Sequence, residues 1–579
     1  MLKLFKNLNK KQILFMIISI VFIFVQVNLE LKLPDYMANI TKLVQTNGNS
    51  HDILLEGGKM LGCALLSLMT SIIVGYLATY IASSFGMNIR GKVYRKVLSL
   101  NTEDIKDFSV ASLITRTTND VGQVQMLISF GLQALIKAPI MATLAIIKIA
   151  GKNLQFSLLT FFAVFILLIL IVVTILLVMP KFKIIQKLTD NLNRITRENL
   201  TGIRVIRAFN AEKYQTNKFN DANIELTNTQ LFTSKIMQIL PTFMTLLIST
   251  LTLSIYVLGA SLINDANMVD RINIFSDMIV FSSYAIQVIM SFVMLVMIFL
   301  IYPRAEVSAK RILEVLNKKN KIIDGNKTKG KEIGTIEFRN VSFKYPDADE
   351  YILKNINFEV KNGETVAFIG GTGSGKSTLI NLIPRFYDVT DGKILVNGID
   401  VKDYKLESLH EIFGYVSQKA IIFSGTIKEN VGYGKKKIEE KDIKNAIKIS
   451  QAEDFVSKMD MGIDSYIARG GTNVSGGQKQ RLGVARAIAR NPEIYIFDDT
   501  FSALDYKTDY KLRSELKNNT KNSTTLIVAS RIGTIMNADK IIVLDKGEIV
   551  GMGTHKELLK NCKVYKEIAI SQLSEEELK

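Results

Sequence analysis

Cysteine and histidine are scarce in this sequence. Its 579 residues include two cysteines, Cys63 in an apolar run and Cys562 in a polar tail. Two thiols placed so far apart argue against a disulfide framework, and a free Cys562 suits a reducing cytosol. The three histidines are His51, His410 and His555. None of them falls in the stretch "TLIVASRIGTIMNADK" at 525–540, so that stretch cannot supply imidazole chemistry.

Acidic residues are few relative to basic ones. The chain has 54 Asp and Glu against 72 Lys and Arg, a formal net charge of +18. Such a surplus can indicate nucleic-acid binding, but in a membrane protein it is typical of cytoplasmic loops. Hydrophobic residues make up 48% of the chain and the mean hydropathy is +0.21. These values favour a membrane domain joined to a soluble domain, and the length is too great for one domain.

Six apolar runs occupy the first half of the chain. The first begins at Ile13, and the others cover about 58–85, 130–150, 155–179, 237–263 and 273–301. Each is near the ~20 residues that a helix needs to cross a bilayer core. A signal peptide is disfavoured for the first run, which is long and lacks a small-residue cleavage site. The third run contains Lys137, predicted to face a cavity or extend to the cytoplasmic surface, and Lys148, predicted to extend outward.

Basic residues concentrate in the two long segments that follow the second and fourth runs. The positive-inside rule places the N-terminus and both segments in the cytoplasm, and six spans return the C-terminus there. Both segments contain few Pro or Gly and are predicted to continue the spans as helices. Phe108–Val121 and Gly202–Phe219 lie near their tips. These tips are either solvated hairpins or surfaces that press on a second domain.

A polar, glycine-dotted stretch at 317–334 precedes a region of alternating strands and helices. Predicted strands include "GTIEFRNVSFKY", "ETVAFIG", "EIYIFDD", "TTLIVAS" and "KIIVLDKGEIV". The pattern indicates an α/β domain with a mostly parallel sheet. The predicted organisation is a transmembrane domain over 1–316, a linker over 317–334 and the α/β domain over 335–579.

The octapeptide "GGTGSGKS" follows an apolar strand and precedes an apolar helix. It matches the phosphate-binding pattern G-x-x-x-x-G-K-S in the context that makes the pattern specific. Backbone N–H groups and the helix dipole would bind the phosphates of ATP. Lys376 is predicted to reach the β- and γ-phosphates, and the Ser377 hydroxyl to ligate Mg²⁺. The candidate nucleotide-binding residues here are Gly370, Gly371, Thr372, Gly373, Ser374, Gly375, Lys376, Ser377 and Thr378.

The strand "IYIFDD" ends in Asp498 and Asp499. A carboxylate at the tip of an apolar strand is costly without a partner, and nucleotide-bound Mg²⁺ would be a partner for Asp498. Downstream of the phosphate loop, "NVSGGQKQR" opens a second basic helix suited to a γ-phosphate. The phosphate loop already precedes such a helix. The second helix is therefore predicted to contact a nucleotide that is bound to a partner domain.

Together these motifs resemble the ATP-binding cassette (ABC) superfamily. "VSGGQ" is similar to its signature motif, "YVSQ" to its Q-loop and "SALD" to its D-loop, in the family's order. The resemblance implies that Tyr345 stacks on adenine and that Gln418 contacts the metal and the attacking water. The further residues that it implies for nucleotide contact are Ser475, Gly476, Gly477, Gln478 and Asp505.

With six spans before the cassette, the chain resembles a type IV ABC exporter half-transporter. The implied fold is an α-helical six-span transmembrane domain followed by an α/β P-loop nucleotide-binding domain. The resemblance also implies a dimer with twelve spans, coupling helices at Phe108–Val121 and Ala208–Glu212, and a location in the cell membrane. The expected cargo is an amphipathic small molecule, drug or lipid.

Two positions depart from the family's pattern. Asp499 stands where the family has a glutamate that orients water, and its carboxylate sits about 1.5 Å further back. Ser530 stands where the family has a histidine. Because the signature is intact, the chain resembles the degenerate-site subunit of a heterodimeric exporter, with ATP bound tightly and hydrolysed slowly. The alternatives are a homodimeric exporter and a non-transporting ATPase; six spans argue against nucleic acid as a partner.

Overall fold

The computed structural model describes residues 1–150, 154–346, 348–435, 438–520 and 522–573. Internal contacts divide the chain into two units. The N-terminal unit comprises Met1–Leu98 and Ser109–Lys318, and the C-terminal unit comprises Ser99–Phe108 and Lys319–Lys579. A short segment of the first long loop therefore packs with the C-terminal unit, whereas the predicted domain boundaries assign it to the membrane domain.

The first part of the chain is helical. In chain order its helices are α1 (Leu2–Phe5), α2 (Lys10–Gln45), α3 (Ser50–Ser99), α4 (Thr102–Lys106), α5 (Val110–Thr117), α6 (Asn119–Ala150), α7 (Leu154–Thr201), α8 (Ile203–Ala208), α9 (Glu212–Asp265) and α10 (Met268–Asn317). Among the described residues, six spans are long and apolar enough to cross a membrane, in α2, α3, α5 with α6, α7, α9 and α10. The six-span prediction is confirmed.

These helices are much longer than the apolar runs. α3 and α10 have 50 residues each and α9 has 54. At 1.5 Å per residue they reach about 75–80 Å, whereas a bilayer core is about 30 Å thick. The loops between spans therefore continue as helices, as their lack of Pro and Gly predicts. In the N-terminal unit α10 packs along α6 and α7 along α9, with Phe281 and Tyr284 fully buried.

Both lysines of the third run have acidic partners on α2. Lys137 Nζ lies 2.9 Å from Glu30 Oε1, and the Lys137 side chain is 19% exposed. Lys148 Nζ lies 2.5 Å from Asp35 Oδ2, and the Tyr284 hydroxyl donates to Asp35 Oδ1 at 2.8 Å. Lys137 thus forms an ion pair between two spans, with a partner that its predicted orientations did not include.

The C-terminal unit is α/β. Its strands are β1 (Ile336–Phe343), β2 (Leu353–Val360), β3 (Thr365–Gly370), β4 (Asp391–Val396), β5 (Ile399–Asp400), β6 (Phe413–Val416), β7 (Gly425–Thr426), β8 (Tyr466–Ile467), β9 (Ile494–Asp498), β10 (Thr524–Val528), β11 (Lys540–Asp545) and β12 (Glu548–Gly553). Its further helices are α11 (Lys376–Leu382), α12 (Leu406–Glu411), α13 (Ile427–Val431), α14 (Glu440–Ile449), α15 (Glu453–Val456), α16 (Gly476–Arg490), α17 (Tyr506–Asn519), α18 (Ile532–Ile535), α19 (His555–Asn561) and α20 (Lys563–Ile570).

The main sheet has six strands in the order β12-β11-β3-β10-β9-β6. The pairings among β11, β3, β10, β9 and β6 are parallel, and β12 is antiparallel to β11. This confirms the predicted mostly parallel sheet, and a second sheet of order β2-β1-β4-β5 is antiparallel. The predicted single strand "KIIVLDKGEIV" is instead a hairpin. Lys546 and Gly547 both have positive φ, 46° and 83°, which a two-residue turn between paired strands requires.

Candidate nucleotide-binding site

Four predicted motifs follow four neighbouring strands of the main sheet. The strands end at Gly370 (β3), Val416 (β6), Asp498 (β9) and Val528 (β10). Parallel strands present their carboxyl ends at one edge, where ligands bind in open α/β sheets. The phosphate loop, the Gln418 loop, the acidic pair and the Ser530 loop therefore gather at that edge.

The phosphate loop connects β3 to α11. Gly373 and Gly375 have left-handed φ values of 81° and 96°, which glycine adopts without side-chain strain. Gly371 and Thr372 lie exposed at the outer turn. Ser374 is buried, and its N–H donates to the Gly371 carbonyl at 3.3 Å. Successive N–H groups in such a turn form a concave site for an anion.

Lys376 is the first residue of α11 and folds back over the loop. Its Nζ donates to the carbonyls of Gly370 at 2.9 Å and Gly371 at 2.8 Å. Burial lowers the pKa of Lys376, while Asp499 and Asp498 oppose the shift. Phosphate oxygens would accept from this ammonium group more strongly than carbonyl oxygens do, because hydrogen bonds between charged groups are stronger.

Ser377 and Asp498 form a pair of oxygen ligands beside Lys376. Ser377 Oγ donates to Asp498 Oδ1 at 2.9 Å. Asp498 is only 5% exposed; burial raises its pKa, and the Ser377 hydrogen bond works in the opposite direction. A buried carboxylate beside a hydroxyl suits a hard cation, since Mg²⁺ prefers oxygen ligands and usually shares them with phosphate. These residues therefore fit Mg²⁺ carried by the nucleotide.

Gln418 and Ser530 meet at one carboxylate, that of Asp499. Gln418 Nε2 donates to Asp499 Oδ2 at 3.2 Å, and Ser530 Oγ donates to Asp499 Oδ1 at 3.4 Å. Asp499 has a left-handed φ of 44°, a conformation that aspartate tolerates better than most residues. The structure thus brings together the Q-loop glutamine and both positions that depart from the family's pattern.

Tyr345 lies beside the helix of the phosphate loop. Its hydroxyl oxygen is 3.2 Å from Thr378 Oγ1. Its ring makes T-shaped contacts with Phe343 and Tyr387, with centroid distances of 5.0 and 5.3 Å. This places an aromatic ring beside the helix that follows the phosphate loop.

The signature and the D-loop make local contacts in this chain. Ser475 caps α16: its Oγ accepts from the Gln478 N–H at 3.3 Å, and Gln478 Oε1 accepts from the Ser475 N–H at 2.8 Å. Asp505 caps α17 by accepting from the Thr508 N–H at 2.9 Å, and this hydrogen bond lowers the pKa of Asp505. Ser475 and Gly476 remain exposed, and Gly477 is half-buried.

Sequence reasoning missed Gln480, a buried residue of α16 that is 3% exposed. Its Nε2 donates to the Ser417 carbonyl at 3.1 Å, and its Oε1 accepts from the Ala420 N–H at 3.2 Å. One amide therefore bridges both sides of the Gln418 loop and links that loop to the signature helix. Gln478 and Gln480 are two residues apart, so the sequence predicts that they face different sides of the helix. That spacing does not identify the residues that either side chain contacts, which is why the role of Gln480 was missed.

Comparison with known proteins agrees with this arrangement. Residues 16–292 match the family model for the ABC transporter transmembrane region, and residues 353–502 match that for the ABC transporter. An uncharacterized ABC transporter ATP-binding protein of Mycobacterium tuberculosis is 36% identical over 550 residues, which cover 94% of this chain and 93% of the relative. An ATP-dependent lipid A-core flippase of Syntrophus aciditrophicus is 31% identical over 499 residues, covering 83% and 80% of the two chains.

The fold is also that of a solved exporter. A bacterial Atm1-family ABC exporter with ATP bound superimposes with a TM-score of 0.81 at 21% identity, covering 98% of this chain and 99% of the other. At that identity the likeness shows the fold alone, and the sequence matches above show the family. The chain belongs to the ABC transporter family and is an exporter half-transporter, in which a membrane domain is followed by an ATPase domain that drives transport.

Proposed function

We propose that this chain is the degenerate-site subunit of a heterodimeric ABC exporter. The observation that carries the proposal is the cluster of Gln418, Asp499 and Ser530 beside an intact phosphate loop. Asp499 lies 3.2 Å from Gln418, and we assign it the role of the general base. Its carboxylate is about 1.5 Å shorter in reach than that of glutamate. Misplacement of about 1 Å can cost on the order of 10²-fold in rate.

Ser530 adds a second loss at the same site. Its hydroxyl reaches Asp499 only at 3.4 Å, and serine carries no positive charge to stabilise a γ-phosphate. Three contacts support ATP binding at the same site: Lys376 folds over the loop, Ser377 contacts Asp498, and Tyr345 stands beside the phosphate-loop helix. The expected site binds Mg²⁺-ATP and hydrolyses it slowly.

The exposed signature motif supports the proposal that a partner chain binds this one. Ser475 and Gly476 are exposed at the start of α16, where helix N–H groups suit a γ-phosphate. In the proposed dimer Ser475 and Gly476 contact the ATP that is bound to the partner's phosphate loop. The partner's signature motif in turn contacts the ATP bound beside Asp499. The partner is expected to carry glutamate and histidine at the positions that match Asp499 and Ser530.

Exposed apolar side chains provide surfaces for the same partner. Phe209, between α8 and α9, is 79% exposed, and Ile421 and Phe423, just after the Gln418 loop, are 66% and 45% exposed. Burying these side chains against the partner would be favourable, because it removes apolar surface from water. The proposal assigns the predicted coupling segment Ala208–Glu212 to the partner's ATPase domain. In the first loop the segment that belongs to the C-terminal unit is Ser99–Phe108, so Phe108–Val121, predicted as the other coupling segment, shares with it only Phe108.

The proposed cargo is an amphipathic small molecule, drug or lipid. A cavity of about 430 Å³ lies among α7, α9 and α10 in the N-terminal unit. Its lining includes Ile175, Val178, Met237, Leu240 and Val296, with Tyr302 and Glu306 as polar members. An apolar chamber with a few polar groups is the usual form of a small-molecule site. The name of the flippase relative favours lipid among these classes.

The proposed topology places the N-terminus and the ATPase domain in the cytoplasm, with the spans in the plasma membrane. Residues 1–316 form the transmembrane domain, 317–334 the linker and 335–579 the nucleotide-binding domain. The excess of Lys and Arg in the two long loops supports this orientation.

The proposal is tested by purifying the chain in lipid nanodiscs, alone and with the half-transporter encoded beside it, and measuring ATP hydrolysis. We expect slow turnover alone and fast turnover in the pair, with Asp499→Ala changing the pair little. Fast turnover by the chain alone, abolished by Asp499→Ala, would show a homodimeric exporter instead. Lys376→Ala is the matched control, because it removes ATP binding at this site in either case.

A further inference from the structure

The segment Ser99–Phe108 joins two long membrane helices in sequence, yet it packs within the C-terminal unit. Three contacts attach it to Asn320 and Lys321, which follow the end of α10 at Asn317. Asn320 Nδ2 donates to the Ser99 carbonyl at 2.6 Å, the Lys321 N–H donates to Asp104 Oδ2 at 3.1 Å, and Lys321 Nζ lies 2.5 Å from Glu103 Oε1. The short helix α4 is therefore held against the nucleotide-binding unit rather than free in solvent.

This attachment places Lys106, the last residue of α4, over two aromatic rings. Its Nζ lies 5.1 Å from the centroid of the Tyr345 ring and 5.2 Å from that of the Tyr387 ring. The two rings meet at 87°, and the Tyr345 hydroxyl contacts Thr378 of the phosphate-loop helix. An ammonium within about 6 Å of a ring face is attracted by the ring quadrupole. A membrane-domain loop thus delivers a cation to the aromatic residue proposed to stack on adenine.

We propose that Lys106 contacts the nucleotide base, so that adenine lies between the Tyr345 ring and the Lys106 ammonium. This inference rests on the proposed role of Tyr345 and extends it. Two contacts of about 3.5 Å, one on each face of the base, need about 7 Å between ring and ammonium. From the present 5.1 Å, Lys106 must withdraw by roughly 2 Å, which the flexible four-carbon stem of lysine allows.

The arrangement makes the first loop sensitive to the base rather than to the phosphates. The phosphates are bound by the loop at Gly371–Ser377, whereas Lys106 meets only the adenine end. Coupling between two binding events is reciprocal. If the contact of Lys106 with adenine strengthens ATP binding, bound ATP must equally stabilise the position of the first loop. Base occupancy is then signalled to the helices α3 and α5 through the continuous backbone on either side of α4.

The test compares ATP with inorganic tripolyphosphate, which carries the phosphates and no base. The full chain in nanodiscs is titrated with a fluorescent ATP analogue, and each unlabelled ligand competes. We expect Lys106→Met to weaken ATP binding roughly two- to fivefold, the range of an exposed cation–π contact, and to leave tripolyphosphate unchanged. Lys106→Arg should keep the affinity for ATP, because guanidinium also stacks on aromatic faces.

Lys344→Met is the matched control, since Lys344 Nζ lies 5.9 Å over the Tyr351 ring, and it should change neither ligand. Equal losses for ATP and tripolyphosphate in Lys106→Met would overturn the inference, because they would show an effect on phosphate charge or folding. Unchanged or tighter ATP binding would also overturn it. If tripolyphosphate fails to bind even the unaltered chain, the assignment of the phosphate loop fails instead, so the two failures are distinguishable.

Discussion

Lengthening the Asp499 side chain should restore hydrolysis at the chain's own site. Asp499→Glu adds one methylene and advances the carboxylate by about 1.5 Å, from a position where it now meets Gln418 at 3.2 Å and Ser530 at 3.4 Å. Since an error of about 1 Å costs on the order of 10²-fold, we expect turnover to rise about 10- to 100-fold. Adding Ser530→His should raise it further.

The same substitution should cost stability. Asp499 has a φ of 44°, and a left-handed residue without the short side chain of Asn or Asp costs roughly 1–2 kcal/mol. The apparent melting temperature of the ATPase domain should therefore fall by a few degrees, at about 2–4 °C per kcal/mol. A variant that is both faster and less stable would show that the shorter side chain also relieves backbone strain.

The assay measures phosphate release at saturating Mg²⁺-ATP. The chain is paired with the neighbouring half-transporter, whose own phosphate-loop lysine is replaced by alanine, so that all turnover comes from the Asp499 site. Asp499→Asn serves as control and should abolish the slow residual rate. If Asp499→Glu binds ATP normally but is no faster, the missing methylene does not limit hydrolysis and the geometric reasoning fails.

Three further substitutions test other contacts. Burial raises the pKa of Asp498, so the stability that its carboxyl contributes is present at low pH and is lost as pH rises through that raised pKa. Asp498→Asn should therefore raise the melting temperature of the ATP-free chain at pH 7.5, and a lower melting temperature would contradict this. Because Asp498 is the proposed Mg²⁺ ligand, the same variant should lose the extra stabilisation that Mg²⁺-ATP gives. Gln480→Met keeps the side-chain volume but removes the hydrogen bonds to Ser417 and Ala420. Amide hydrogen exchange at 413–423 should therefore accelerate, and ATP hydrolysis by the paired transporter should fall without a change in KM. Unchanged exchange would refute the bridging role of Gln480. Lys137→Met alone should destabilise the N-terminal unit by roughly 2.5–3.5 kcal/mol, the cost of an unpaired charge in a span. The double variant with Glu30→Gln should regain most of that loss in detergent melts, and a double variant no more stable than Lys137→Met would contradict the pairing.

The features predicted well are those that short stretches specify. Each apolar run reveals a span because about 20 residues suffice to decide membrane insertion. The phosphate loop follows from glycine spacing between a strand and a helix. The alternation of "GTIEFRNVSF" predicts β1, where Ile336, Phe338, Val341 and Phe343 are buried, although an irregularity between Phe338 and Val341 interrupts the alternation. In each case the evidence and the element lie within one window of sequence.

The features that escaped prediction depend on distant residues or on backbone angles. Lys137 finds Glu30 on another span, and Gln480 meets a loop about 60 residues earlier. Asp499 has a positive φ at the junction between β9 and the following turn. The sequence "IYIFDD" contains no glycine, the residue that usually indicates such a backbone angle. The packing of Ser99–Phe108 depends on contacts with Lys321, which lies after the last span.

The ion pair between α2 and α6 bears on how the membrane domain is made. Glu30 enters the bilayer with the first span, whereas Lys137 arrives 107 residues later with the third. A charged side chain in a span opposes insertion by roughly 2.5–3.5 kcal/mol when it is unpaired. During synthesis Glu30 therefore lacks its Lys137 partner until α6 has been made. The contact that links α2 to α6 through these two charges can thus form only after the third span has been synthesised.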